Sequence, residues 1–272
     1  MTRLVASLGM YDYPAQQPAN DRIWSAIARI LRARGIPGVP DALDRVRHVH
    51  DIWRDPNLLF GQACGYPLIA DATLDLQVIA LPIYDMQGSR RGDATHASVL
   101  VARANDGRGS LGDYRDSRAA INDPRSNTGM NLFRATLAPI AETSVFFARV
   151  VQTGSHRTSV AAIAAGDADL AAIDAVTYAT LMRHEPDLTA PLKIVARSPV
   201  SPTLPFVTSA AMSTETVATL RLALRQIITD PYLAEDRALL GLAGIVTADA
   251  DVLAPIQALE QTAIRYGYPE LR

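Results

Sequence analysis

Segments that read as strand and segments that read as helix alternate along the whole chain, and this alternation restricts the fold to the α/β class. Leu4–Leu8, Leu58–Gln62, Leu76–Pro82, Ser98–Arg103, Ala119–Asn122, Phe146–Val151, Asp169–Ile173 and Leu192–Ala196 read as strands. Ile23, Trp24, Ile27, Ile30 and Leu31 recur at helical spacing after Asn20 or Asp21, a candidate cap, and Gly35 ends that helix. Asp41–Trp53 reads as a weaker helix, and helices are expected over 128–140, 156–165, 175–183, 214–229, 231–240 and 249–266. Two extended stretches, near 96–103 and 193–207, bracket a βαβαβα block. This pattern predicts one lobe (98–199) inserted into another (1–97 plus 200–272). Each lobe is expected to hold a mixed, mostly parallel sheet flanked by helices, with two crossing strands joining them. Clefts between such lobes take ligands at strand C-termini.

Composition removes several function classes. The 272 residues carry a net charge of −2, so no basic excess draws in nucleic acid or an anionic membrane. Lys193 is the only lysine, which confines Schiff-base or P-loop chemistry to that position. Cys64 is the only cysteine, so intramolecular disulfides and cysteine zinc sites are excluded, and Cys64 itself reads as packing. No cofactor or metal is expected: HExxH and GxSxG are both missing from the sequence. No apolar run reaches the length of a membrane span. The first ten residues read as a strand rather than an export signal, because no small-residue cleavage site follows them. Residues 87–95, with Arg90 and Arg91, read as a solvated loop.

Three stations carry candidate chemistry. Ser126, Asn127 and Thr128 lie between a strand and a helix, where backbone N–H groups and hydroxyls bind an anion without a basic side chain. His156 opens the next helix, where the helix dipole favours a neutral imidazole that can still donate one N–H. Asp174 ends a strand and can accept a proton from a hydroxyl, an ammonium or a monoprotonated oxyanion. Each also has an ordinary structural use as a helix cap or surface residue. All three sit at strand-to-helix junctions of one block, so they are expected to face one edge of one sheet. Tyr11, Tyr13, Gln62, Tyr66 and Tyr84 lie past strand ends of the other lobe, where tyrosines offer rigid faces and one hydroxyl each. His96 and Ser98 fall where the chain crosses between lobes.

Four segments give the chain a resemblance: Gln62-Ala63-Cys64-Gly65-Tyr66-Pro67, Ser98–Val101, Asn122–Gly129, and Gly154-Ser155-His156 with Gly166–Asp174. They resemble the phosphate, phosphite and phosphonate receptors of ABC importers, within the type II periplasmic binding protein fold. The resemblance implies two lobes that close around a small oxyanion. It implies that Ser126, Asn127, Thr128 and His156 hold phosphoryl oxygens. It gives Asp174 the role of accepting from a protonated oxygen or a ligand amine, and Tyr66 and Tyr84 the organic side. The ligand set expected is therefore Tyr11, Tyr66, Tyr84, His96, Ser98, Ser126, Asn127, Thr128, His156 and Asp174. His96 departs from the family, whose phosphonate receptors tend to carry tyrosine just before the crossing strand.

The expected function is a non-catalytic receptor for a small oxyanion, passing it to an ABC permease. Three rival readings remain: a receptor for a sulfonate or a thiamine-precursor pyrimidine, an enzyme using His156, Asp174 or Cys64, and a cytosolic sensor. The family implies a periplasmic location, while the residues as written show no export signal and leave a cytoplasmic one open.

Overall fold

The computed structural model describes residues 3–85 and 92–272, so residues 87–91 of the expected loop lie outside the described residues. In chain order the strands of the two five-stranded sheets are β1 (Val5–Ser7), β2 (Leu58–Gln62), β3 (Leu76–Tyr84), β4 (Ser98–Arg103), β5 (Arg118–Ile121), β6 (Arg149–Gln152), β7 (Leu170–Asp174), β8 (Leu192–Arg197), β9 (Phe206–Ser209) and β10 (Leu242–Thr247). The helices used below are α1 (Gln17–Ala33), α2 (Val49–Trp53), α3 (Gly65–Ala70), α4 (Leu132–Leu137), α5 (His156–Ala165), α6 (Ala175–His184), α7 (Thr214–Thr229), α8 (Ala234–Leu240) and α9 (Ala254–Arg265). The described residues form two compact units. Of the described residues, unit 1 holds 3–85, 92–94 and 202–253, and unit 2 holds 95–201 and 254–272.

Unit 1 is built on a five-stranded sheet in the order β1-β2-β9-β3-β10. β1 and β2 run parallel, and β9 runs antiparallel to both of its neighbours. Trp24, on the buried face of α1, stacks on Phe60 at 5.9 Å, and Phe60 meets Phe206 at 5.3 Å. These rings are buried and form the centre of the unit 1 core.

Unit 2 holds a second five-stranded sheet, ordered β6-β5-β7-β4-β8. β5 is parallel to β6 and β7, while β4 is antiparallel to β7 and β8. The β4–β7 register sets Ser98 opposite Asp174. β5, β6 and β7 are parallel neighbours, so the segments that follow them lie at one end of the sheet.

The structure differs from the sequence reading in several places, each with a local cause. α1 begins at Gln17 because a 3₁₀ turn at Pro14–Gln16 feeds directly into it. Asn20 then lies inside the helix, and its amide reaches back to the Tyr11 carbonyl and Asp12, both at 2.9 Å. The expected 41–53 helix shrinks to α2. Arg45 pairs with Asp12 and Asp21, and Arg47 with Asp44 and Asp55, which holds the preceding residues in an irregular loop until His48 caps α2. β10 occupies a stretch expected as a link between helices, and β9 follows the prolines at 202 and 205. The sequence boundaries put residues 254–272 in the outer lobe, but their contacts put them in unit 2. There the Ile256 carbonyl accepts from Asn131, and Arg134 reaches Glu260 and the Pro269 carbonyl.

The aromatic core gives a direct stability test. Phe60→Ala removes a ring that is 1% exposed and touches two others, and is expected to cost about 3–5 kcal/mol in urea unfolding. A loss under about 1 kcal/mol would contradict the packing described.

Candidate functional site

β5 delivers the chain into a turn at Asn122–Arg125, where the Asp123 carboxylate accepts from the Arg125 N–H at 2.7 Å and the Asp123 carbonyl from the Ser126 N–H at 3.0 Å. Ser126 then caps the helical run, its Oγ accepting from the Gly129 N–H at 2.9 Å. Residues Asn127–Asn131 form one wide π-helical turn that continues into α4. Single π turns inside helices are frequent at functional sites. Here the wide turn brings Gly129 against Asn122 and His156: a Cβ at Gly129 would lie 1.8 Å from Asn122 Oδ1 and 3.1 Å from His156 Cε1. Only glycine fits this approach.

His156 opens α5 beside the Ser155 cap, and its Nε2 lies 3.0 Å from Thr128 Oγ1. The Thr128 carbonyl accepts from Ser98 Oγ at 2.7 Å, and the Ser98 N–H donates to Ser198 Oγ at 2.8 Å. Asp174, which is 2% exposed, caps α6 by accepting from the Thr177 N–H at 2.8 Å. Its other oxygen lies 3.0 Å from Nδ1 of the fully buried His96. Ser98, Ser126, Thr128, His96, His156 and Asp174 thus lie together within unit 2, His96 and Ser98 joining the three strand-to-helix stations from the segment that leads into β4. Asn127 joins it differently. Its amide donates to Ser201 Oγ at 2.7 Å and accepts from Asn131 at 3.1 Å, which braces the turn from inside.

Burial dominates the electrostatics. It pushes His156 down to about 4; the nearby His96 adds to this, and Asp174 and the Ala172 carbonyl oppose it only in part. His156 is therefore a neutral imidazole at neutral pH, as its helix-opening position suggests. Burial alone would raise the Asp174 carboxyl, but the hydrogen bond and charge of His96, with His156 and the Thr177 N–H, bring it down to about 2.

The sequence-selected residues of unit 1 also gather. Gln62 Nε2 donates to Tyr84 Oη at 3.0 Å and to the Leu204 carbonyl at 3.1 Å. Tyr11 meets the Tyr84 ring edge-on at 5.4 Å. Tyr66 is buried in the first turn of α3, and Tyr13 precedes the 3₁₀ turn that starts α1. Cys64 is buried at the cap of α3. Sequence reasoning missed Asn131, Ser198 and Ser201. Each braces the site from a position with no motif of its own, although Asn131 lies four residues after Asn127 on one helical face.

Two other features belong to the scaffold. Lys193 spends its ammonium on the Asp106 and Arg108 carbonyls. A cavity of about 480 Å³ in unit 1 lies beside β1 and the 40–47 loop, with its Arg45 and Arg47 already paired to aspartates. Among the described residues no group of three or more histidine, cysteine, aspartate or glutamate side chains is placed to hold a metal ion, and no helix is long and apolar enough to cross a membrane.

Residues 58–253 match the family model described as ABC transporter, phosphonate, periplasmic substrate-binding protein. No curated protein matches the sequence significantly. Among solved structures, a binding protein component of a Pseudomonas aeruginosa ABC phosphonate transporter shares 18% identity over 98% of this chain and 88% of its own, with a TM-score of 0.76. PhnD1 of Prochlorococcus marinus, in complex with methylphosphonate, shares 13% identity over 97% and 98%, with a TM-score of 0.71. XAC2383 of Xanthomonas citri, bound to ATP, shares 16% identity over 98% of both chains, also with a TM-score of 0.71. At these identities the likeness establishes the fold, that of type II periplasmic binding proteins.

Two outcomes follow from this geometry. Gly129→Ala must displace Asn122 or His156. It is expected to lower stability by about 1–3 kcal/mol in chemical denaturation and to shift the His156 imidazole resonances. An unshifted His156 signal would contradict the close approach. The second outcome concerns pH. The folded chain refuses a proton at His156 until about pH 4, whereas the unfolded chain takes it near 6.5. His156 therefore contributes stability that is present above about 6.5 and lost as pH falls toward 4, and His156→Gln should flatten that stretch of the stability curve. The further loss below pH 4, from the lowered carboxyls of Asp169 and Asp174, should persist in the variant.

Proposed function

We infer that this chain, which belongs to the periplasmic substrate-binding proteins of phosphonate ABC transporters, is a solute receptor for a small phosphorus oxyanion. The observation that carries this reading is the unit 2 cluster. The hydroxyls of Ser126 and Thr128, the neutral His156 and the start of a helical run meet at one sheet end. Neutral donors fixed by the scaffold suit an oxyanion that must be bound and later released, because they supply hydrogen bonds without a permanent ion pair. The ligand set read from the sequence also includes Tyr11, Tyr66 and Tyr84 of unit 1, whose rings suit an organic substituent.

The partner proposed is the permease of an ABC importer, and the location proposed is the periplasm, both in line with the family. The receptor reading is non-catalytic. One contact favours the enzyme alternative: Thr128 Oγ1 and His156 Nε2 have the separation of a hydroxyl nucleophile and its base. Recovery of ligand separates the two readings, because a receptor returns it unchanged.

Isothermal titration with methylphosphonate, phosphite, phosphate, ATP, sulfate and a thiamine-precursor pyrimidine tests the assignment. A small phosphorus oxyanion is expected to bind. Ser126→Ala and Thr128→Ala should each weaken binding by about tenfold or more, as loss of a hydrogen bond to a charged group does. Phosphorus NMR after overnight incubation should show the ligand intact. Binding of sulfate or the pyrimidine alone would overturn the reading, and a new phosphorus signal would replace the receptor with an enzyme.

A further inference from the structure

The π turn that carries Ser126 and Thr128 is closed by bonds that span five residues. The Asn131 N–H donates to the Ser126 carbonyl at 3.0 Å, and the Leu132 N–H donates to the Asn127 carbonyl. Such a turn holds one residue more than an α turn, so its relaxation would rotate one flank against the other by about 100°. The side chain that stands at the closing point is Asn131, which is 0% exposed. Its Nδ2 donates to Asn127 Oδ1 at 3.1 Å and to the Ile256 carbonyl at 3.3 Å, and its Oδ1 accepts from Arg134 Nη2 at 2.7 Å. Asn127 extends the chain of bonds, its Nδ2 donating to Ser201 Oγ at 2.7 Å.

We infer that Arg134 is a positioning residue for the oxyanion cradle, acting through Asn131 and Asn127 and held in place by α9 and the residues that follow it. This deepens the receptor reading and rests on it. The direction of the amide chain carries the argument. A guanidinium can only donate, so Asn131 has to present Oδ1 to Arg134 and its NH2 group to Asn127. Asn127 then receives on Oδ1 and donates onward to Ser201. Without the guanidinium either amide can reverse, and the turn loses the arrangement in which each amide is paired at both ends.

Arg134 is itself fixed from its far side. Its side chain is 5% exposed, its Nη2 also reaches Glu260 Oε1 at 3.1 Å, and its Nη1 donates to the Pro269 carbonyl at 2.6 Å. A buried guanidinium is costly without such partners. Glu260 and Pro269 supply them, and Ile256 takes the second hydrogen of the Asn131 amide. α9 and the residues after it thus act on a turn far earlier in the chain. A turn that spends part of its time outside the π form binds ligand in proportion to the competent fraction, so this brace shows itself in affinity.

The experiment measures methylphosphonate dissociation constants for the full chain, for Asn131→Leu and Arg134→Met, and for Asp169→Asn, a control that loosens unit 2 at the other end of β7. Folding is checked by circular dichroism and stability by urea unfolding. Asn131→Leu and Arg134→Met are expected to weaken binding by about tenfold or more, the result of a turn that is competent in about a tenth of the molecules. Asp169→Asn is expected to lose stability and to keep its affinity within about twofold. The His156 imidazole resonances, which sense the turn through Thr128 Oγ1, should shift in the two brace variants and stay in place in the control. Unchanged affinity in folded brace variants, equal weakening in all three substituted proteins, or an unmoved His156 overturns the inference. A further measurement needs no variant: titration with methylphosphonate should move the side-chain nitrogen-15 resonance of Asn131 along the same binding curve as the Thr128 N–H, and an unmoved Asn131 overturns it as well. If the unsubstituted chain binds no phosphorus oxyanion, the receptor reading falls and takes the inference with it. If that chain binds and the brace variants bind as tightly, only the inference falls.

Discussion

A carboxylate buried at the end of a central strand has to be compensated, and most of unit 2's site follows from how Asp174 meets that requirement. An unpaired buried charge is far more costly than the protein's total stability allows. Asp174 is compensated twice, by the first turn of α6 and by an imidazole from the segment preceding β4. The second partner requires β4 to lie beside β7 in one register, with Ser98 opposite Asp174. That register brings Ser98 Oγ to the Thr128 carbonyl, and so fixes the π turn on which Ser126 and Thr128 stand. The geometry of the Ser126–Thr128 turn is thus tied to the partners of one carboxylate.

β7 carries a carboxylate at each end, and the two are compensated by different chemistry. At its start, Asp169 is held by Arg103 and Arg118, each at 3.0 Å, with Arg108 at 3.4 Å. Guanidinium groups keep their charge at any working pH, so this end is a permanent staple across β4, β5 and the loop near Arg108. At its other end Asp174 is met by an imidazole and a backbone N–H. One strand thus joins a carboxylate held by guanidinium groups to one held by an imidazole and a backbone N–H.

What could be read from the sequence was local. Ser126, Ser155 and Asp174 are capping residue types immediately before helical runs, and in the structure each side chain caps its helix. Gly166 ends α5 in the left-handed conformation that its position suggests. The features that escaped depend on partners far away in the chain. Nothing near residues 41–47 announces that Arg45 and Arg47 bind aspartates on other segments and so hold the chain out of a helix. β10 lacks a clear signal because Gly244 interrupts it, and its strand form depends on pairing with β3. His96 could be selected as a site residue, but its pairing with Asp174 depends on the β4–β7 register, which no local pattern encodes. The Asn127 amide braces the turn through Asn131 and Ser201, the second of them far away in the chain.

The neutral state of His156 adds a last constraint on how the cradle works. A neutral imidazole carries one proton, on either of two nitrogens. If the proton sits on Nδ1, near the Ala172 carbonyl, then Nε2 can only accept, and the Thr128 hydroxyl gives its hydrogen to the ring. Thr128 then shows only lone pairs to an arriving anion. If the proton sits on Nε2, the ring donates to Thr128 Oγ1, and the hydroxyl hydrogen is free to point at the ligand. An oxyanion stabilises the second arrangement and is repelled by the first. On the receptor reading proposed above, a phosphoryl oxygen at Thr128 would favour the second arrangement of His156 without the site taking up a proton.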